Sequence, residues 1–336
     1  MRRQPTTSMR LTRVLALVLC AAWPNTVGAQ REATVELPVE AIGLKRWTVQ
    51  MLRDSFAARV PGKTLGSAGC AAILRDTFHF AAASVVESQP PGLERRITIV
   101  AVEPQDSARV RYRRTPLHQE QRPHEWRRAL GILDSTPAAV VRFVQDSAAL
   151  FGGADAAADT PSPDERFRQF VRLHASEADR RLAVRTLAKD GTRAHRIIAV
   201  ALLSNFLTAD STWWVLADEM RDRAGIPAAM AAQLMLTRSR VAPRAVDWRP
   251  AAPALRALLD GTNVHLFTAT LELLRNTSID PALAPTLLRR GGELPVAFLG
   301  ASDPYDRDLA HDFLVRVSGQ DFGYDRTRWS GWIDGL

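Results

Sequence analysis

The spacing of hydrophobic positions changes along this chain, and each change predicts a different element. From Val39 to Val60, Ile42, Leu44, Trp47, Met51, Leu52 and Phe56 recur at threes and fours, which predicts a helix stopped by Pro61-Gly62. A second helix is predicted from about Gly66 to Phe80, carrying Cys70, Ile73, Leu74 and Phe78. The period then drops to two over Ser84–Glu87, Arg96–Glu103 and Arg109–Arg113, with turn residues between them, so these are expected strands. Thr34–Leu37 alternates ahead of Pro38 and predicts one more short strand. Helices are expected around His124–Leu133, anchored by Trp126, and over Pro137–Leu150.

Beyond Pro163 the pattern is helical throughout. Trp213, Leu216, Ala217 and Met220 define an apolar face opposite Asp218, Glu219, Arg221 and Asp222, as expected of an outer helix. Ile226–Thr237 is apolar on more sides, as expected of a helix packed between neighbours. The same richness recurs in Ala194–Leu207 and Val264–Leu274, and another pair opens at Asp280-Pro281 and runs to Phe298-Leu299. Pro227, Pro250, Pro281 and Pro304 fall at or near helix starts, where a missing N–H costs nothing. Between the two regions, Gly152–Pro163 is small, acidic and Pro-rich and cannot bury apolar surface, which predicts a flexible linker. The expected organisation is a segment at 1–29, a small α+β module at 31–150, a linker at 151–163 and a helical region at 164–336.

Two resemblances follow from these residues. The order strand–helix–helix–strand–strand, with Phe78–Val86 leading into Ile97–Glu103, resembles a POTRA-type module, which implies a binding domain that adds a strand along an exposed sheet edge. Recurring helix pairs with Asp-Pro openings and leucine-rich inner helices, their starts roughly 30–40 residues apart, resemble HEAT or armadillo-type repeats. Ser318–Asp325 followed by Trp329 and Trp332 resembles the closing segment of exported bacterial HEAT-repeat proteins. Gly319 is suited to end a helix in the left-handed conformation, Asp325 to cap a final one, and the tryptophans to cover the open end of a stack. The fold class expected is mainly α, a HEAT-like α-solenoid preceded by a small α+β domain.

The N-terminus changes where the protein is expected to act. Arg2, Arg3, Arg10 and Arg13 precede an apolar run from Val14 to Trp23, and Val27-Gly28-Ala29 supplies small residues for cleavage, the pattern of a signal peptide. The run is shorter than the roughly 20 residues that span a bilayer. Leu19 before Cys20 is bulky for a lipoprotein site. A periplasmic or secreted mature chain is the expectation, touching the membrane only through that segment. The full chain is +8 from 44 basic and 36 acidic residues; without the four N-terminal arginines it is +4. No cationic run is interleaved with aromatics, which argues against nucleic acid.

Candidate chemistry is sparse. Cys70, the lone cysteine after cleavage, sits among Gly and Ala, and His79 nine residues on does not share its helix face; a buried structural thiol is the simpler reading. His118 and His124 with Glu120 and Glu125 form the only local cluster with ligand chemistry, short of a converging set. Asp303, Asp306, Asp308, Asp321 and Asp325 lack the EF-hand pattern and suit helix capping. Arg180, Arg181, Arg185, Arg193 and Arg196 make an Arg-dense stretch, either a face for an acidic partner or a solvated surface paired with Asp179 and Asp190. Trp213 and Trp214 are adjacent and cannot share one core seam, so one is expected near the surface as a binding anchor. No catalytic, cofactor or metal residue is assigned. The function expected is a non-enzymatic interaction or scaffold protein with a protein or peptide partner. The alternative is an envelope enzyme or accessory subunit using an interdomain site with Cys70, His79 or His124.

Overall fold

The computed structural model describes residues 37–90, 92–116, 124–145, 161–289 and 291–336. The described residues are mainly helical with one small three-stranded sheet. It divides into two compact units interleaved in sequence: one comprises residues up to Arg111 with Ala257–Thr268 and Leu288–Leu336, the other Tyr112–Arg256 with Ala269–Leu287. The expected segment at 1–29, Thr34–Glu36, and most of the expected linker lie outside the described residues.

The first unit is built on β1 (Val39–Ile42), α1 (Val49–Arg59), α2 (Cys70–Asp76), β2 (Ala82–Ser88) and β3 (Arg96–Val102). The strand–helix–helix–strand–strand order is as expected, but the first strand is displaced. Val39–Ile42, assigned by periodicity to a helix, pairs in parallel with Ile97–Val100, and Leu37 is in no strand. The helix begins only at Val49, because Gly43 at φ +85 turns the chain and Thr48 caps the helix by accepting from Met51 N at 3.1 Å. Arg109–Arg113, expected to be a strand, is not one: a 3-10 helix spans Pro104–Arg109, and the chain beyond pairs with no strand.

Sheet order is β1-β3-β2, with β2 antiparallel to β3. Side chains alternate across a strand, so Ile97, Ile99 and Ala101 meet Leu52, Phe56, Cys70 and Leu74 on one face. Phe56 and Phe78 stack there at 5.2 Å, and Trp47 meets Phe80 at 5.5 Å. The opposite face is also covered. A Cβ on Gly261 would collide with Val102, and one on Gly43 would come within 3.2 Å of Leu294. Glu40 Oε1 accepts from Ser302 N at 2.7 Å on the same unit. The sheet is therefore enclosed by its own helices on one side and by much later parts of the chain on the other.

The second unit contains α3 (Arg127–Ser135), α4 (Ala138–Gln145), α5 (Pro163–Leu173), α6 (Glu177–Lys189), α7 (Arg193–Leu203), α8 (Asp210–Glu219) and α9 (Gly225–Val241). The helices α10 (Ala252–Leu259), α11 (Phe267–Asn276) and α12 (Ala284–Leu288) straddle the unit boundaries. Helices α3 and α4 group here, not with the sheet as chain order had them. The reason is apolar: Leu130, Ile132, Leu133, Val140 and Phe143 are buried, and α5 supplies Phe167, Phe170 and Val171 as partners, with Phe143 edge-on to Phe167 at 5.1 Å. Helix α6 packs on α7, α8 on α9, and α9 on α7. Every residue of α7 from His195 to Leu203 is buried, as is nearly all of α9 from Pro227 to Thr237, matching their all-round apolar sequence.

Candidate functional site

Cys70 is 1% exposed among Leu52, Phe56 and Leu74, and burial pushes its thiol up to about 12. A nucleophile needs the thiolate at working pH, and this thiol is held neutral. His79 lies at an exposed, left-handed position (φ 59) outside that core. His124 is exposed at the start of the second unit, and His118 and Glu120 lie outside the described residues. Among the described residues, Cys70, His79 and His124 are not brought together within either unit.

The most elaborate polar site in the first unit is one the sequence did not single out. Glu103, at the end of β3 and fully buried, accepts on Oε1 from the backbone N–H groups of Lys45, Arg46 and Trp47 at 2.8, 2.8 and 2.9 Å. Burial opposes its charge, but these three donors and the Gln105 amide hold it below the usual carboxylate range. The site is a backbone anion nest filled by the protein's own carboxylate, which pins the 43–48 turn to β3.

In the second unit the structure sorts the Arg-dense stretch. Arg196, 1% exposed, donates Nη1 and Nη2 to Asp222 at 2.5 and 2.8 Å, and Asp222 also accepts from Ala224 N at 2.6 Å. Its neighbour His195 bonds Asp190 through Nδ1 at 2.5 Å, and Asp190 accepts from Thr192 N at 2.7 Å. Each of these carboxylates sits at the turn of a helix pair, α6–α7 for Asp190 and α8–α9 for Asp222. Arg180 is engaged by Glu177, and Asp179 accepts from the N-cap Ser176 N at 3.1 Å while bonding His174 at 2.9 Å. Asp179 and Asp190 are thus engaged by His174 and His195 and by backbone N–H groups at the helix turns. Arg181, Arg185 and Lys189 of α6 and Arg193 at the start of α7 are exposed.

Glu219 and Asp222, placed by periodicity on the outward polar face of α8, are both fully buried. Glu219 bonds Arg113, whose guanidinium also reaches Leu187 O and whose N–H donates to Arg221 O at 3.1 Å. Burial pushes Glu219 up to about 8, against the pull of Arg113. The irregular stretch after Val110 is thereby strapped across the ends of α6 and α8. The available signal was two charges, His195-Arg196, at the head of an otherwise apolar helix; such charges need internal partners. Trp213 is buried and its Nε1 donates to Leu207 O at 2.9 Å, whereas Trp214 is half-buried with Nε1 on Asp247 O at 2.6 Å. One tryptophan of the pair is nearer the surface, as expected, but its polar edge is already engaged.

The C-terminal peptide belongs to the first unit, with α13 (Glu293–Phe298), α14 (Pro304–Ser318) and α15 (Arg326–Asp334). Gly319 ends α14 at φ 69, and Asp325 caps α15 by accepting from Thr327 N and Arg328 N at 3.0 and 3.1 Å. Trp329 is fully buried, edge-on to Trp332 at 5.9 Å and to Phe322 at 4.8 Å. Asp303 caps α14, Asp308 accepts from Tyr324 Oη at 2.8 Å, and Asp321 bonds His311 at 2.8 Å. These aspartates are engaged in holding the peptide closed. Large exposed hydrophobic side chains among the described residues are Met51, Leu173, Val241 and Tyr324. No described helix is long and apolar enough to cross a membrane. Comparison with protein-family models, with curated proteins and with solved structures finds no match to this chain.

Proposed function

We propose that this chain is an exported, non-enzymatic interaction protein whose paired helices form a HEAT-like frame presenting its surface to a protein partner. The observation that carries this reading is the recurrence of Asp190 and Asp222, 32 positions apart, each closing the turn of a helix pair from inside. A period of that length is typical of helical repeats. Arg196 on α7 reaches forward to Asp222, so one pair is fastened to the next. Two strongly perturbed groups, Glu219 and Cys70, are interior and serve packing. Rigid frames of this kind bind by complementarity over several elements.

The test is retention of a partner from envelope extract by the immobilised mature chain. The whole mature chain is required, because pieces cut at 150 and 163 would divide both compact units. Reproducible retention of a defined protein, competed by free mature chain, is expected; none across salt conditions would sink the reading.

A second reading is favoured by one observation at the sheet edge. Pro38 O accepts from Ile97 N at 2.9 Å, so β3 turns its odd-numbered amides toward β1 and its even-numbered ones toward β2. Ala83, Val85 and Glu87 of β2 then face outward. Arg75 Nη1 occupies Ala83 O at 3.1 Å, while the backbone groups of Val85 and Glu87 have no hydrogen bond among the described residues. Strand addition there, as the POTRA-type resemblance implies, would be blocked by Val85→Pro, which leaves surface binding by the helices intact.

A further inference from the structure

We infer that the open edge of β2 is an interface with a second copy of this chain, paired antiparallel about a two-fold axis at Val85. The inference rests on the strand-addition reading above and names the occupant of that edge. Ala83, Val85 and Glu87 turn their backbone groups outward, since Ser84, Val86 and Ser88 face β3 opposite Val100, Thr98 and Arg96. Antiparallel strands exchange paired hydrogen bonds between residues directly opposite one another. With Val85 opposite its own counterpart, Ala83 of each copy lies opposite Glu87 of the other. Each outward N–H of one strand then meets an outward C=O of the second.

The flanking charges fit that axis. Arg75, near the C-terminal end of α2, donates Nη1 to Ala83 O at 3.1 Å. A carbonyl oxygen has two lone pairs, so Ala83 O still has a place for the incoming Glu87 N–H. Arg75 Nη2 has no hydrogen-bond partner among the described residues. Glu87 lies on the sheet face that carries α2, because it sits opposite Ile97, whose side chain packs in the core beneath α1 and α2. The carboxylate of Glu87 from one copy therefore arrives beside Arg75 of the other. Arg95 engages Oε1 of Glu87, and Oε2 has no partner among the described residues, which leaves it to the incoming guanidinium. An isologous interface makes this contact on both sides of the axis. A register that sets Val85 against Glu87 instead would carry Glu87 about 7 Å further from Arg75.

The strand is also unprotected in the ways that edges are usually blunted. Val85 and its neighbours from Ala82 to Ser88 include no Lys and no Pro. The sheet's other edge, β1, is four residues long and turns only Val39 and Ala41 outward, and its one charged residue, Glu40, is engaged by Ser302 N. Paired edge strands bury little area, so weak, concentration-dependent self-association is expected.

The test measures self-association of the mature chain by sedimentation velocity over a concentration series. A monomer–dimer equilibrium is expected, weakened about fivefold or more in R75E and in E87R, because each reversal acts twice across the axis. The double variant R75E/E87R should return to within about threefold of the parent. Val85→Pro removes an outward N–H without touching the bonds to β3 and should leave only monomer. Register is read by V85C, whose Cα atoms would lie about 5.5 Å apart across the axis, within disulfide reach. It should form an intermolecular disulfide under mild oxidation, whereas S88C, about 20 Å from its counterpart, should not. Cys70 is buried, so the introduced thiol is the reactive one. Circular dichroism should match the parent in each case, and if a charge or proline variant misfolds, the contrast between V85C and S88C decides. A parent that stays monomeric throughout, a dimer equally tight in R75E and V85P, or S88C cross-linking as readily as V85C would overturn the inference. If the parent is monomeric yet V85P abolishes binding of an extended peptide of alternating Val and Thr, the strand-addition reading stands and only its occupant is wrong. If V85P alters neither self-association nor peptide binding, strand addition at this edge fails as well.

Discussion

Removing the Asp222 carboxylate tests whether the helix pairs are fastened from within. Arg196 is 1% exposed, and its Nε has no hydrogen-bond partner among the described residues, so Asp222 is its principal anchor. Asp222→Ala strands a buried guanidinium, which costs about 3–5 kcal/mol. It also removes the bond from Ala224 N that closes the α8–α9 turn, adding about 1 kcal/mol. Against a total stability of about 5–15 kcal/mol that is a large fraction. With a urea slope of about 2–3 kcal/mol/M, the unfolding midpoint should fall by about 2 M. The assay is urea denaturation followed by circular dichroism, with amide exchange in α7 and α9 as the local readout. Arg196→Met alone should be similarly harmful, since it leaves the carboxylate buried. The double variant Arg196→Met/Asp222→Ala removes both charges and should recover at least about 2 kcal/mol relative to the sum of the singles. A single variant within 1 kcal/mol of the parent, or a double variant that merely sums the singles, would refute the fastening role.

Three further outcomes are expected. Glu219 holds its proton up to about 8 in the folded protein against 4.5 unfolded, so its contribution is complete below pH 4.5 and lost as pH rises through 8. At 1.36 kcal/mol per unit that is up to about 5 kcal/mol, and Glu219→Gln should flatten the decline; an unchanged slope in urea titrations at pH 5 to 8.5 would remove Glu219 as its source. Cys70 should resist Ellman's reagent in the folded mature protein at pH 8 and react at once in denaturant, and rapid native titration would contradict its burial. Trp329→Ala empties a fully buried indole site and should cost about 3–5 kcal/mol in thermal or urea unfolding, so a loss below 1 kcal/mol would mean the C-terminal peptide is not a structural closure.

Much of the helical content was legible because helices advertise themselves through spacing over many residues. Ile226–Thr237 and Ala194–Leu207 are apolar on nearly every side, and α9 and α7 are buried on nearly every side. Single-residue signals also carried through where the physics is local: Gly319, Asp325 and Asp280 take the terminal and capping roles their chemistry predicts. Val39–Ile42 was misassigned because four residues carry too little period to separate strand from helix. Its strand state is set by Ile97–Val100, more than fifty residues away. The grouping of α3 and α4 depends likewise on the apolar faces of α5 and α7. The buried charges were the hardest to see. Amphipathic spacing places Glu219 and Asp222 with solvent, and only the position of Arg113 and Arg196 in space brings them inside.

The sheet's second face is covered by residues from Ala257–Thr268 and Leu288–Leu336, and this sets an order of assembly. Synthesis delivers β1, β2 and β3 first, yet Val102 meets Gly261 only after some 150 further residues have appeared. Until then the strand face bearing Val100 and Val102 is open to solvent or to a chaperone. The long second unit, by contrast, has most of its partners within one continuous stretch. Residues that come earliest in the chain are therefore among the last to be completed. A stop codon just after Leu287 would spare the helices of the second unit while removing Leu294 and Ser302 from beside Gly43 and Glu40. Truncations near the C-terminus should consequently betray themselves through degradation beginning at the N-terminal sheet.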